Sequence, residues 1–230
     1  MIGVVWPQGI LLDFYGTVVE EDDPVISSIC RAVFEKATTG HPSGAGAVGK
    51  YWSALFADAC TAAAGPTFIS QRILEHRSLQ DTASHFGADL NLDSLSKQIF
   101  AYWQRPSLLP GAMDFLATVN RPVCIVSNID RQDLEAAIAH HDIRVDLSVT
   151  SEDVHAYKPR PEPFQLALEL LGLNHDDVLH VGDSLSGDVA GANALGIPVA
   201  WVNRNGRRRP PTSRLAHEVP DLAALARQLK

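Results

Sequence analysis

Short, mainly apolar runs recur along the second half of the chain, and one more lies near its start. Most of them have consecutive apolar residues and do not alternate apolar with polar ones, which is typical of parallel strands that are buried on both faces. The runs cover residues 9–12, 122–126, 145–149, 178–181 and 198–202. We therefore predict five strands of a parallel sheet.

Helical periodicity fills the spaces between the later runs. The helical stretches cover residues 111–119, 131–140, 163–171 and 187–195. Gly172 and Gly196 lie where helices end, and Pro163 lies where a first helical turn accepts proline. Because strands alternate with helices, the pattern predicts an α/β fold with a doubly wound, Rossmann-like parallel sheet.

The long segment after the first predicted strand has a different pattern. Residues 18–105 show helical periodicity without strand signals, for example in the apolar stripe of Val25, Ile26 and Ile29. Since a compact sheet does not need a connection of this length, we predict an inserted helical cap domain at residues 18–105. Residues 1–17 and 106–230 are then the α/β core.

Charge and composition exclude some classes of function. The formal net charge of −8 argues against a nucleic-acid surface, because such surfaces carry clustered Lys and Arg. The three cysteines have no metal-ligand spacing, no apolar run reaches the roughly 18 residues of a membrane span, and no leader segment is recognisable. The sequence therefore predicts a cytoplasmic protein with neither nucleic acid nor membrane as a partner, and it carries no signal of oligomeric state.

Polar residues follow the predicted strands at the points where ligands bind in open α/β sheets. Residues 13–17 follow the first strand, Ser127 and Asn128 follow the second, and residues 182–188 follow the fourth. Lys158 lies just before the helix that leads to the fourth strand. We predict that these segments form the active site, whereas His180 within the fourth strand is interpreted as core packing.

The four segments resemble the four motifs of the haloacid dehalogenase superfamily, and the resemblance extends over nearly the whole chain. It implies that Asp13 is a nucleophile that forms a covalent aspartyl intermediate. It also implies that Ser127 binds the substrate anion, that Lys158 neutralises charge between nucleophile and substrate, and that Asp183 binds magnesium with support from Asp188. Thr17 and Asn128 complete the predicted substrate-binding set.

The charges of these residues favour a metal ion. Three converging carboxylates repel one another, and Lys158 alone does not balance them, whereas a divalent cation does. Mg²⁺ suits Asp13, Asp183, Asp188 and the backbone carbonyl of Tyr15 as oxygen ligands. We therefore predict a Mg²⁺-dependent phosphatase that acts on a small anionic phosphorylated metabolite.

Tyr15 departs from the phosphatase pattern, which has a second aspartate two residues after the nucleophile. Tyrosine at this position resembles the 2-haloacid dehalogenase branch, whose members work without metal and whose halide leaving group needs no proton. That branch, however, replaces the Gly182–Ser184 motif by a Ser-Ser-Asn type of sequence. The alternatives are therefore a 2-haloacid dehalogenase that forms an aspartyl ester, and a catalytically weak relative that binds a phosphorylated ligand.

Two charged segments add hypotheses about the same site. One of the acidic residues 20–23 could supply the proton that Tyr15 does not. Arg204 and the consecutive arginines 207–209 follow the fifth predicted strand and are interpreted first as a solvated loop before Pro210 and Pro211. A second hypothesis is that they attract an anionic substrate, because the carboxyl end of that strand lies on the face of the active site.

Overall fold

The computed structural model describes residues 7–229, which are built around six parallel strands. The strands are β1 (Gly9–Leu12), β2 (Val123–Ser127), β3 (Leu147–Thr150), β4 (Val178–Gly182), β5 (Val199–Val202) and β6 (His217–Val219). Their order across the sheet is β3–β2–β1–β4–β5–β6, and all adjacent pairs are parallel. The predicted α/β class and doubly wound sheet are confirmed. The order of the strands along the sheet reverses at β1, which lies between β2 and β4.

Helices surround this sheet. The α-helices of the described residues are α1 (Asp23–Lys36), α2 (Ala45–Ala62), α3 (Gln71–Phe86), α4 (Leu92–Gln104), α5 (Ala112–Thr118), α6 (Arg131–His140), α7 (Ser151–Val154), α8 (Glu162–Leu171), α9 (Ala190–Ala194) and α10 (Leu222–Gln228). A 3₁₀ turn (Gly65–Thr67) follows α2, and a π-helical segment (Leu185–Val189) leads into α9. Within residues 7–229, no helix is both long enough and apolar enough to cross a membrane.

The core around the sheet has two parts, one on each face. Ile10 and Leu12 of β1 belong to the cluster that contains α5, α6, α10 and the inserted helices, whereas Leu11 belongs to the cluster that contains α8 and α9. All three side chains are fully buried. Since successive side chains of a strand point to opposite faces, a strand covered on both faces needs consecutive apolar residues. This is why the central strands appear in the sequence as mainly apolar runs.

Several elements differ from the sequence prediction, which included neither α7, α10 nor β6. Strand β6 was not predicted, because His217, Glu218 and Val219 are mostly polar and form a short edge strand with only one fully covered residue. The helix predicted at residues 187–195 is in fact a π-helical segment followed by a short α9. A side-chain pattern does not reveal a π-helix, whose wider turn is a backbone feature.

Helices α1 to α4 lie between β1 and α5, within the segment predicted as a cap; the domain boundaries themselves remain a prediction. The start of α3 is fixed by the loop after β2. The carboxylate of Asp130 accepts hydrogen bonds from the backbone amides of Gln71 at 2.7 Å and Arg72 at 2.9 Å. The guanidinium of Arg72 also pairs with Asp133 of α6, with hydrogen bonds of 2.7 and 2.5 Å. These bonds hold α3 beside the carboxyl ends of the strands.

Candidate active site

The predicted catalytic segments converge at the carboxyl ends of β1, β2 and β4. Asp13, Ser127, Lys158, Asp183 and Asp188 all line one cleft. This convergence follows from the parallel topology, because strands that run in the same direction end at the same edge of the sheet. The structure therefore brings together residues that are up to 175 positions apart in the sequence.

Lys158 is the central cation of the cleft. Its Nζ donates hydrogen bonds to Asp13 Oδ1 at 2.7 Å, to Asp188 Oδ1 at 2.7 Å and to the Val126 carbonyl at 2.8 Å. Burial by itself lowers the pKa of a lysine, but the charges of Asp13 and Asp188 outweigh that effect and raise the pKa of Lys158. Lys158 is therefore a permanent cation whose three ammonium hydrogens are all used.

Asp13 is held in one orientation by the turn that follows β1. Its Oδ2 accepts a hydrogen bond from Thr17 Oγ1 at 2.8 Å, while Oδ1 accepts the one from Lys158. Gly16 makes the turn possible, because it adopts φ of 86° and a Cβ there would lie 2.5 Å from Asp183 Oδ1. Burial and the charge of Asp188 raise the pKa of Asp13, against the opposing effect of Lys158. The result is a buried carboxylate aimed into the cleft, as covalent catalysis requires.

Asp188 is saturated with hydrogen-bond donors. Oδ1 contacts Lys158 Nζ and lies 3.0 Å from His180 Nε2, and Oδ2 accepts from the Ser184 backbone amide at 2.9 Å. Burial opposes the ionisation of Asp188, but Lys158 and His180 outweigh it and lower the pKa. Gly182 allows this close packing, since a Cβ there would lie 2.4 Å from Asp188 Cγ. Asp188 therefore anchors Lys158 and is a poor base.

Asp183 lies at the end of β4 and has a second cation beside it. Arg207 Nη2 is 3.2 Å from Asp183 Oδ2 and donates to the Asp183 carbonyl at 2.5 Å, and Trp201 Nε1 donates to the same carbonyl at 2.8 Å. Burial and the charges of Asp13 and Asp188 raise the pKa of Asp183 to about 7. Of the four arginines predicted to attract substrate, Arg207 thus turns back onto the site residue itself.

Tyr15 connects the turn after β1 to the inserted helices. Its hydroxyl donates a hydrogen bond of 2.5 Å to the Trp103 carbonyl at the end of α4, and Trp103 Nε1 donates to Asp22 Oδ2 at 2.7 Å. Burial and the charge of Asp133 raise the pKa of Tyr15. The hydroxyl is therefore neutral and engaged with the protein.

Ser127 and Asn128 have different roles in the structure. Ser127 lines the cleft, and its hydroxyl donates to no residue within 7–229. Asn128 instead fixes the backbone next to the site, because its Oδ1 accepts a hydrogen bond of 2.7 Å from the Lys158 amide. Among the acidic residues 20–23, Glu21, Asp22 and Asp23 line the cleft.

Two partners of the site were not predicted from the sequence. His180 was interpreted as core, and it does pack edge-on against Phe164, but its Nε2 also contacts Asp188. Arg207 was interpreted as part of a solvated loop, with substrate attraction as a further hypothesis, and not as a partner of Asp183. The position of His180 in the middle of an apolar strand was the available signal for its role, whereas nothing in the sequence indicates that Arg207 pairs with Asp183.

A family model described as haloacid dehalogenase-like hydrolase matches residues 7–196. The chain belongs to this family of hydrolases. The family resemblance seen in the sequence is therefore confirmed, and so is hydrolase as the class of enzyme.

Relatives within this family point to one branch of it. The chain is 30% identical to an (S)-2-haloacid dehalogenase from Pseudomonas sp. (strain YL) over 56% of this chain and 57% of that enzyme. It is 23% identical to an (S)-2-haloacid dehalogenase from Pseudomonas fluorescens over 96% of both chains. The L-2-haloacid dehalogenase of Xanthobacter autotrophicus, solved with chloropropionic acid covalently bound, superposes with a TM-score of 0.77 and 20% identity over 97% of this chain and 98% of that one. A phosphoserine phosphatase from Thermus thermophilus also matches, at 31% identity over 59% of this chain and 57% of its own.

The predicted Mg²⁺-dependent phosphatase is wrong, because relatives that align with nearly the whole chain are 2-haloacid dehalogenases. Mg²⁺ as a cofactor is wrong with it. Asp13, Asp183 and Asp188 do converge, as the prediction required: one carboxylate oxygen from each lies within 4.8 Å of the other two. The error was the assumption that only a metal ion balances them. Lys158 bridges two of these carboxylates and Arg207 pairs with the third, so side chains neutralise much of the charge.

Proposed function

We propose that the protein is a 2-haloacid dehalogenase, in which Asp13 displaces a halide ion from C2 of a small carboxylic acid. The observation that carries the proposal is at Tyr15. The residue two positions after the nucleophile offers no acidic proton, because its hydroxyl is bonded to the Trp103 carbonyl. A halide departs as a stable anion and needs no proton, whereas an alcohol leaving group does. Similarity to (S)-2-haloacid dehalogenases supports the same choice and favours the S enantiomer.

The first step is a displacement at carbon. A carboxylate oxygen of Asp13 forms a bond to C2 while the carbon–halogen bond breaks, which gives an aspartyl ester and a free halide ion. Lys158 and Thr17 fix the carboxylate in one orientation, so less entropy is lost on reaching the reacting geometry. Attack from the side opposite the halogen inverts the configuration at C2.

The second step is hydrolysis of the ester. A base takes a proton from the attacking water, the water oxygen bonds to the carboxyl carbon of Asp13, and the ester bond breaks. The proton then passes from the base to the departing alkoxide, which leaves as a 2-hydroxy acid, and the freed Asp13 carboxyl gives up its own proton to solvent. Asp183 is the base we assign to this water, since its Oδ1 has no hydrogen-bond partner within residues 7–229 and it lies close to Asp13. A pKa of about 7 suits a general base at neutral pH. Asp188 does not suit this role because both of its oxygens already accept hydrogen bonds.

The carboxylate of the substrate needs donors near the strand ends. Ser127 lines the cleft, and its hydroxyl donates no hydrogen bond to any described residue. The hydroxyl is therefore available to donate a hydrogen bond to that carboxylate. Lys158 lies in the same cleft and adds a positive charge. We assign the carboxylate of the substrate to this side of the cleft.

Chloride release from the two enantiomers of 2-chloropropionate tests the proposal. We expect turnover of the S enantiomer, with a 2-hydroxy acid of inverted configuration as product. Asp13→Asn should abolish it, because an amide of nearly the same shape is a poor nucleophile. Asp176→Asn is the matched control, since it makes the same chemical change on a side chain that is 81% exposed.

A single turnover in H₂¹⁸O distinguishes attack by Asp13 from direct attack by water. The ester mechanism places ¹⁸O in the Asp13 carboxylate, and the product of the first turnover carries unlabelled oxygen. Labelled product in the first turnover would contradict the ester. Phosphate release from esters without chloride release from any haloacid would overturn the proposed function.

A further inference from the structure

The cleft that contains Asp13 is also lined by inserted helices, and we call the part of this lining that belongs to α2 and α3 the far wall. Its volume is about 400 Å³, and the far wall contains Trp52, Phe56, Gln71 and Glu75. Pockets of roughly 300 to 1,000 Å³ hold ligands of drug size. The cleft is therefore larger than a three-carbon haloacid requires, and the far wall is free to contact a longer substrate.

Two polar groups on this wall have no partner within residues 7–229. Glu75 is only 6% exposed, and its carboxyl group makes no hydrogen bond or ion pair with a described residue. Gln71 lies one turn earlier on the same face of α3, and its Oε1 is buried without a hydrogen-bond partner. Buried polar groups in folded proteins are almost always hydrogen-bonded, so each exception needs an explanation.

The position of these two groups is fixed by the core. Asp130 holds the first amides of α3 and Asp133 holds Arg72, as described above. Gln71 and Glu75 therefore face the same cleft as Asp13 and are not side chains of a loose helix end. A fixed, unpaired acceptor pair in a substrate cleft is explained by a donor on the ligand.

The charge of the cleft indicates which kind of donor. Among the described residues that line it, carboxylic acids outnumber basic side chains seven to one, and the basic one is Lys158. Such a lining attracts a positively charged group, while the positive charge of Lys158 suits the carboxylate of the haloacid. A haloacid with a positive group at its far end satisfies both the acidic wall and the unpaired acceptors.

We propose that Gln71 and Glu75 form a distal subsite for a protonated amino group, so that the preferred substrate is a 2-haloacid with an ammonium group at the end of its chain. This inference rests on the proposed function. Burial, with a contribution from Asp22, raises the pKa of Glu75 to about 8 when the subsite holds no cation. An ammonium ion beside it favours the ionised form, which makes the bond charge-assisted.

The kinetic test compares 6-amino-2-chlorohexanoate with 2-chlorohexanoate, which differ only in the terminal amine, and subtracts uncatalysed chloride release. We expect the native protein to prefer the amine by at least about tenfold in kcat/KM, the effect of one hydrogen bond to a charged group. Glu75→Gln should remove this preference. Glu35→Gln, which removes the same charge from an exposed position of α1, should keep it. Equal kcat/KM for the two acids in the native protein would overturn the subsite.

A binding test separates the subsite from the chemistry. Neither 6-aminohexanoate nor hexanoate contains a halogen, so their effect on the melting temperature reports binding alone. We expect 6-aminohexanoate to stabilise the native protein more than hexanoate does, and Glu75→Gln to abolish the difference. If that holds while no haloacid releases chloride, the proposed function fails and the subsite stands. If 2-chloropropionate is turned over but neither comparison depends on the amine, the subsite fails and the proposed function stands.

Discussion

Replacing Glu75 by glutamine should make the stability of the protein less dependent on pH. Glu75 is 6% exposed and has no partner within the described residues. Burial, together with the charge of Asp22, raises the pKa of this carboxyl from an ordinary value of 4.5 to about 8. Glutamine has the same shape and no charge to bury, so the variant isolates the cost of ionising this one group.

The sign and the size of the effect follow from proton linkage. Between pH 4.5 and 8 the carboxyl is ionised in the unfolded chain but protonated in the folded one, so folding takes up a proton. The stabilisation is fully present below pH 4.5 and is lost as the pH rises towards 8. Since one unit of pKa corresponds to about 1.4 kcal/mol, the loss reaches about 5 kcal/mol at alkaline pH. Because the whole domain is stable by only about 5 to 15 kcal/mol, this change is readily measured.

Urea unfolding followed by circular dichroism at pH 5, 7 and 9 is the measurement. We expect Glu75→Gln to be close to the native protein at pH 5 and more stable by about 2 to 5 kcal/mol at pH 9. The nearby thiols of Cys30 and Cys60 do not interfere, because burial raises their pKa values to about 11 and about 12. Glu35→Gln should show no such divergence. A difference between Glu75→Gln and the native protein that is the same at all three pH values would show that Glu75 titrates normally, which would refute the reasoning.

Three further predictions concern the residues around Asp13. Lys158→Met should abolish chloride release and lower the free energy of unfolding at pH 7 by about 3 to 5 kcal/mol, because two buried carboxylates lose their cation. An unchanged free energy of unfolding in urea would contradict this prediction. Asp183→Asn should release about one chloride per molecule and then stop with the ester on Asp13, detectable by mass spectrometry, whereas continued turnover would exclude Asp183 as the base. Tyr15→Phe should lose about 1 kcal/mol of stability with the Trp103 hydrogen bond but keep chloride release within about threefold, and a much larger kinetic loss would mean that the hydroxyl takes part in the reaction.

The sequence determined the sheet and the meeting of its motifs. Because central parallel strands are covered on both faces, they are mainly apolar, so the runs at β1, β2, β4 and β5 could be identified without coordinates. Because parallel strands end at one edge, polar residues after them had to approach one another, and Asp13, Ser127, Lys158 and Asp188 do line one cleft. Strand β6 could not be predicted, since an edge strand of three mostly polar residues carries no hydrophobic pattern.

Only the tertiary structure decided how the charges of the site are balanced. A carboxylate is visible in a sequence, but the cation beside it is chosen by the path of the chain: Arg207 reaches Asp183 from a loop 24 residues away, and Lys158 reaches Asp13 across 145 residues. The same holds for Glu75: nothing in the sequence sets it apart from the other acidic residues, and the anchoring of α3 by Asp130 places it, buried and unpaired, in the cleft. The energy of a charged group depends on burial and on neighbours within a few ångströms, and distances of that size between remote residues exist only once the chain is folded.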